Sequence, residues 1–117
     1  MINLTDENFE KEITNSSKPI LVDFWAQWCT PCFVLGPILE KVVQGYKDKL
    51  TLAKVDLDTA PQISQKYEIE QIPTVILFKN GKPVSEFIGV KPESAIKKIL
   101  DEALKNNLKT KNLEDSE

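Results

Sequence analysis

The sequence predicts an α/β domain with a central mixed β-sheet flanked by helices on both faces. Three features carry that prediction. Short apolar runs of strand length alternate with segments whose apolar residues recur every three or four positions. One run, Pro19-Ile20-Leu21-Val22-Asp23-Phe24-Trp25, is apolar almost without a break. Asn80-Gly81 joins two further runs as a two-residue hairpin. Alternating strand and helix signals favour parallel strands with helical crossovers. An unbroken apolar run marks a strand covered on both faces. The hairpin adds antiparallel pairing, so the sheet is mixed.

In chain order, Thr5 or Asp6 can cap a short helix through Phe9 and Ile13. Residues 20–25 form the buried strand. A helix opens at Pro31, where a fixed φ and a missing N–H do no harm. Its apolar positions are Val34, Leu35, Ile38, Leu39, Val42, Val43 and Tyr46. Pro37 inside that pattern removes the hydrogen bond to the Phe33 carbonyl and predicts a kink. Residues 50–57 read as a strand, so residues 20–57 make one right-handed βαβ unit. Residues 60–68 read as a helix opened by Pro61. Thr74–Phe78 and Val84–Ile88 are the hairpin strands, and Gly89 ends the second. A final helix runs from Pro92, with Ile96, Ile99, Leu100, Ala103 and Leu104 on one face. The domain is expected over residues 1–106, and residues 107–117 as a polar, flexible tail.

The 117 residues fit a single domain. Fifteen Lys and Arg against 18 Asp and Glu leave a net charge of -3, which argues against nucleic-acid binding. The chain has no histidine. That removes the usual general base and the usual metal ligand, so chemistry must run on cysteine, carboxylate or lysine. The first residues show neither a basic n-region nor an apolar stretch of signal-peptide length. No run approaches the ~20 apolar residues of a membrane span. The expectation is a cytoplasmic, monomeric protein without membrane contact.

Cys29 and Cys32 are the only cysteines, placed where strand 20–25 gives way to a helix. Free N–H groups and the positive end of a helix dipole favour an anion there. The position predicts Cys29, ahead of Pro31, as a low-pKa thiol pointing out of the turn, with Cys32 as its shielded partner. Asp23 interrupts an apolar strand, with Leu21 and Trp25 on its own face, so burial should raise its pKa. Two blander readings stand beside these. Half a zinc site would need two more ligands, and the chain has neither further cysteine nor histidine. A structural disulfide closing so small a loop contributes only roughly 2 kcal/mol and is reduced in the cytosol.

Trp25-Ala26-Gln27-Trp28-Cys29-Thr30-Pro31-Cys32 resembles the active-site segment of the thioredoxin family, which usually reads Trp-Cys-Gly-Pro-Cys. Asp23, Pro37, Lys54, Ile72-Pro73-Thr74, Asn80-Gly81 and Gly89 follow the family's pattern in order, over residues 2–106. The resemblance implies a thioredoxin fold and protein-disulfide reduction by exchange. Cys29 would attack a substrate disulfide and Cys32 would resolve the mixed disulfide. Asp23, paired with Lys54, would accept the Cys32 proton. Ile72-Pro73 would be a cis-proline loop whose backbone bonds an extended substrate segment. Trp28, Thr30, Pro31, Leu57, Ile72, Pro73, Ile88 and Gly89 would border or form the docking surface. The partners implied are disulfide-containing proteins and a thioredoxin reductase as electron donor, with no bound cofactor or metal.

Lowering a thiol from about 8.5 to about 7, the value thioredoxin itself exemplifies, raises its thiolate fraction at pH 7 from roughly 3% to roughly 50%. Lost nucleophilicity at a Brønsted slope near 0.45 leaves a net gain of only about three-fold. Docking and intramolecular resolution must supply most of the rate. Two positions depart from the family pattern. Thr30 replaces the usual Gly, and Phe33 stands where Lys or Arg commonly follows the second cysteine. A rival reading is a thioredoxin-fold binding module whose dithiol is incidental.

Overall fold

The computed structural model describes residues 2–116, with side chains described for residues 2–105. It runs β1 (Ile2–Leu4), α1 (Phe9–Asn15), β2 (Ile20–Trp25), α2 (Thr30–Gln44), a 3₁₀ turn (Lys47–Lys49), β3 (Thr51–Asp56), α3 (Pro61–Lys66), β4 (Thr74–Lys79), β5 (Lys82–Ile88) and α4 (Glu93–Ser116). The strands form one sheet in the order β1-β3-β2-β4-β5. β1 and β2 pair parallel to β3, while β4 runs antiparallel to both β2 and β5. The sheet is therefore mixed, as the sequence predicts. α4 continues as helix to Ser116, through most of the segment 107–117 expected as a polar, flexible tail, and the side chains of that segment lie outside those described.

β2 is the central strand, and its side chains alternate between two apolar layers. Ile20, Val22 and Phe24 join Phe9, Ile13, Ala60 and Ile63, burying one face against α1 and α3. Leu21 joins Leu35, Leu39, Val42, Ile96 and Leu100, burying the other against α2 and α4. Asp23 lies on the face that Leu21 shares. The unbroken apolar run is explained: both faces are covered.

Three local details differ from the sequence reading. β1 carries no sequence signal, because three residues are too few to show an alternation. Asp6 caps a helix other than the one it precedes: its carboxylate accepts the N–H groups of Gln62 and Ile63 at the start of α3, at 3.2 and 2.9 Å. Thr5 instead exchanges hydrogen bonds with Asn8 ahead of α1. β5 begins at Lys82, before Pro83, rather than at Val84. The pairing steps from Leu77↔Ser85 to Phe78↔Pro83, so a bulge lets an edge strand accommodate the proline. Between β4 and β5, Asn80 and Gly81 both take positive φ (54° and 81°), the geometry of a type I′ turn.

Candidate active site

Three chain segments meet at the carboxyl end of β2. The turn 26–29 leads from β2 into α2. The loop 71–73 leads into β4, whose Thr74 pairs with Phe24. Gly89 follows β5, and its N–H donates to the Pro73 carbonyl at 2.8 Å. Because β4 runs opposite to β2, its start lies beside the end of β2. The fold thus brings Cys29, Pro73 and Gly89 to one pole although the last two lie 44 and 60 positions along the chain from the first.

Cys29 is the N-cap residue of α2, in an extended conformation, and its Sγ accepts the Cys32 N–H at 3.2 Å. The sulfur occupies the place where side-chain oxygens usually satisfy the free N–H groups of a first helical turn. Negative charge on that atom is favoured by the N–H and by the helix dipole. Cys29 and Cys32 are joined in a disulfide, with Cα atoms 5.4 Å apart. The contrast in exposure expected from the sequence is absent in this oxidised form. Cys29 is 5% exposed and Cys32 3%. Around them pack Ala26, Trp25 and Ile72.

Asp23 is 1% exposed, and neither carboxylate oxygen has a hydrogen-bond partner among the described residues. Burial pushes its pKa up from 3.8 to about 6, against the pull of Lys54. Lys54 sits beside it in register on β3. The lysine's ammonium stands over the Trp25 ring, 4.6 Å from its centroid. It also lies under α2: a Cβ added at Gly36 would come within 3.8 Å of Nζ. The Trp25 ring meets Phe33 edge-on, centroids 5.8 Å apart.

On the surface, Trp28 is 68% exposed, with its indole N–H donating to the Asp58 carboxylate at 3.1 Å. Thr30 and Pro31 are exposed in the first turn of α2. The Ile72–Pro73 peptide bond is cis, Ile72 is half-buried and Pro73 buried. Ile88 is exposed at the end of β5, and Gly89 has φ of 88°. Leu57 packs instead against the α1/α3 layer. The sequence reading missed Asp58, because nothing in a carboxylate 30 residues from Trp28 announces the pairing. Phe33 was legible as a departure from the family pattern, but not as the neighbour of Trp25. Among the described residues no cluster of His, Cys, Asp and Glu could hold a metal, and no helix is long and apolar enough to cross a membrane.

The thioredoxin family model matches residues 1–102. The chain is 45% identical over 98 residues to thioredoxin of Chlorobaculum thiosulfatiphilum, covering 84% of this chain and 91% of that protein. It is 41% identical over 105 residues to thioredoxin of Mycobacterium tuberculosis H37Rv, covering 90% of each. Against the bifunctional thioredoxin reductase/thioredoxin of Mycobacterium leprae it is 40% identical over 105 residues, 90% of this chain and 23% of that longer protein. With a five-stranded mixed sheet, a Cys29–Cys32 pair at a helix mouth and these matches over nearly its whole length, the chain belongs to the thioredoxin family, as a disulfide oxidoreductase with Cys29 and Cys32 as its redox-active pair.

Proposed function

We propose that this protein reduces disulfide bonds in other proteins, with Cys29 as nucleophile and Cys32 as resolving thiol. The observation that carries the reading is the Cys29 sulfur at the α2 N-cap, receiving the Cys32 N–H. In the reduced protein, Cys29 thiolate attacks one sulfur of the substrate disulfide. That bond breaks, the first substrate thiolate leaves, and a Cys29–substrate disulfide forms. Cys32 then gives up its proton and attacks the Cys29 sulfur, releasing the second substrate thiolate. Two electrons pass to the substrate, and the Cys29–Cys32 disulfide is the product.

Asp23 is the acceptor of the Cys32 proton, since a carboxyl with a pKa of about 6 can exchange protons near neutral pH. An extended substrate segment binds across Trp28, Ile72, Pro73, Ile88 and Gly89, with the Ile72 backbone as its hydrogen-bonding partner. Thr30 and Pro31 border the reacting sulfurs. Regeneration falls to a thioredoxin reductase, an activity named alongside thioredoxin in the bifunctional Mycobacterium leprae relative. The setting we infer is the cytoplasm, where a monomer of this kind contributes to redox homeostasis.

Insulin reduction with a small dithiol as electron source tests the reading. Turnover well above the dithiol alone is expected, and no acceleration overturns it. Cys32→Ser should accumulate a mixed disulfide through Cys29. Trapping through any other group would reverse the assigned roles.

A further inference from the structure

Lys54 stands next to a buried carboxylate yet makes no hydrogen bond to it. Asp23 and Lys54 are register partners on adjacent strands, but both Asp23 oxygens lack a partner among the described residues. The ammonium lies over the Trp25 ring at 4.6 Å, and the ring is braced edge-on by Phe33. We propose that Trp25 is a positioning residue for the redox reaction: its ring holds the Lys54 ammonium by a cation–π contact and so keeps Asp23 without an ion-pair partner, poised to take a proton. Indole is the strongest cation–π acceptor among side chains, and the attraction grows when the contact is shielded from water.

The surroundings of Asp23 leave few competing explanations. Leu21 and Trp25 flank it on β2, and Val75 faces it from β4. Among the described residues Lys54 is the charged group that acts on it, and Cys32 does not titrate in the disulfide form. Phe33, where relatives of the family commonly carry a cation, adds a ring to this stack and no second charge. The inference rests on Asp23 as proton acceptor for its meaning, but its test reads the carboxyl directly.

In the oxidised protein, the Asp23 titration midpoint can be followed by carbon NMR of its carboxyl. Trp25→Leu should lower it by about one pH unit, as the freed ammonium turns to the carboxylate. Trp25→Phe, which keeps a weaker ring, should shift it less. In the Lys54→Met background the Trp25→Leu shift should vanish. An equal shift with and without Lys54 would mean that the indole merely excludes water, and would overturn the proposal, as would no shift at all. The wild-type protein supplies a measurement independent of variants: the Lys54 Hε resonances should be displaced upfield by the Trp25 ring current. Ordinary lysine positions would equally overturn it. If instead Asp23→Asn leaves the resolution rate unchanged while these shifts appear, the acceptor role fails and the Trp25–Lys54 contact stands.

Discussion

Asp23 binds its proton with a pKa of about 6 in the folded chain and near 3.8 when solvated. Between those values the folded state holds a proton that the unfolded state has released. The residue's effect is therefore absent below about pH 4, grows destabilising as pH rises toward 6, and is complete above it. The full difference is about 3 kcal/mol. Asp23→Asn should raise stability by about 2–3 kcal/mol at pH 8 and by little at pH 4, read from urea unfolding at the two pH values. An equal gain at both would show that the carboxyl is not held proton-hungry by burial. For catalysis, the same change should slow release from a trapped Cys29 mixed disulfide at least about ten-fold at neutral pH, while leaving the initial attack nearly unchanged. Stopped-flow measurement of the two phases separates them. The chemistry at this scale was legible wherever it is local. Two cysteines three positions apart and a lone carboxylate in an apolar strand declare themselves. The Trp28–Asp58 hydrogen bond and the Lys54–Trp25 contact do not, because tertiary packing alone creates them.

The elements read most clearly where a periodicity runs long enough. β2 and α2 were visible from their apolar positions, and the hairpin from Asn80-Gly81, whose positive φ angles suit Asn and Gly. β1 was invisible for want of length. The start of β5 was misplaced because a proline reads as a strand stop, whereas an edge strand with a bulge tolerates it. Asp6 shows the limit of cap assignment from sequence. A carboxylate suits whichever helix start the fold brings to it, here α3, 56 residues away. Asp6→Ala should cost about 1 kcal/mol, read as a shift in the unfolding midpoint. It should also speed amide exchange at Gln62 and Ile63 before other sites. Uniform exchange across the chain would mean that the cap does not act on α3 alone.

At the scale of the whole molecule, the apolar layers on both faces of the sheet hold the chain together, while the proposed docking residues gather at the pole where β2 ends. Phe24, fully buried in the α1/α3 layer, should cost about 3–5 kcal/mol on change to Ala. Trp28→Ala should alter stability by less than about 1 kcal/mol, because the indole is mostly exposed, yet should raise KM for protein disulfides several-fold. Calorimetry beside insulin turnover tests the pair, and a large loss of stability from Trp28→Ala would contradict the division. The rim of the site has a kinetic corollary. Trp28, Phe33 and Ile88 present carbon rather than charge to the solvent, and the nearby Asp58 carboxylate is engaged by an indole N–H. The apolar rim adds no steering of its own, but the Asp58 carboxylate stays charged under a neutral N–H and the chain carries a net charge of -3. Encounter with charged partners is therefore steered by a field that added salt, which shortens the reach of charges to about 10 Å at 0.1 M, removes. Basic protein disulfides should turn over faster than acidic ones at low ionic strength, with the gap closing as salt is added and selectivity then decided by how long a partner lingers rather than how fast it arrives.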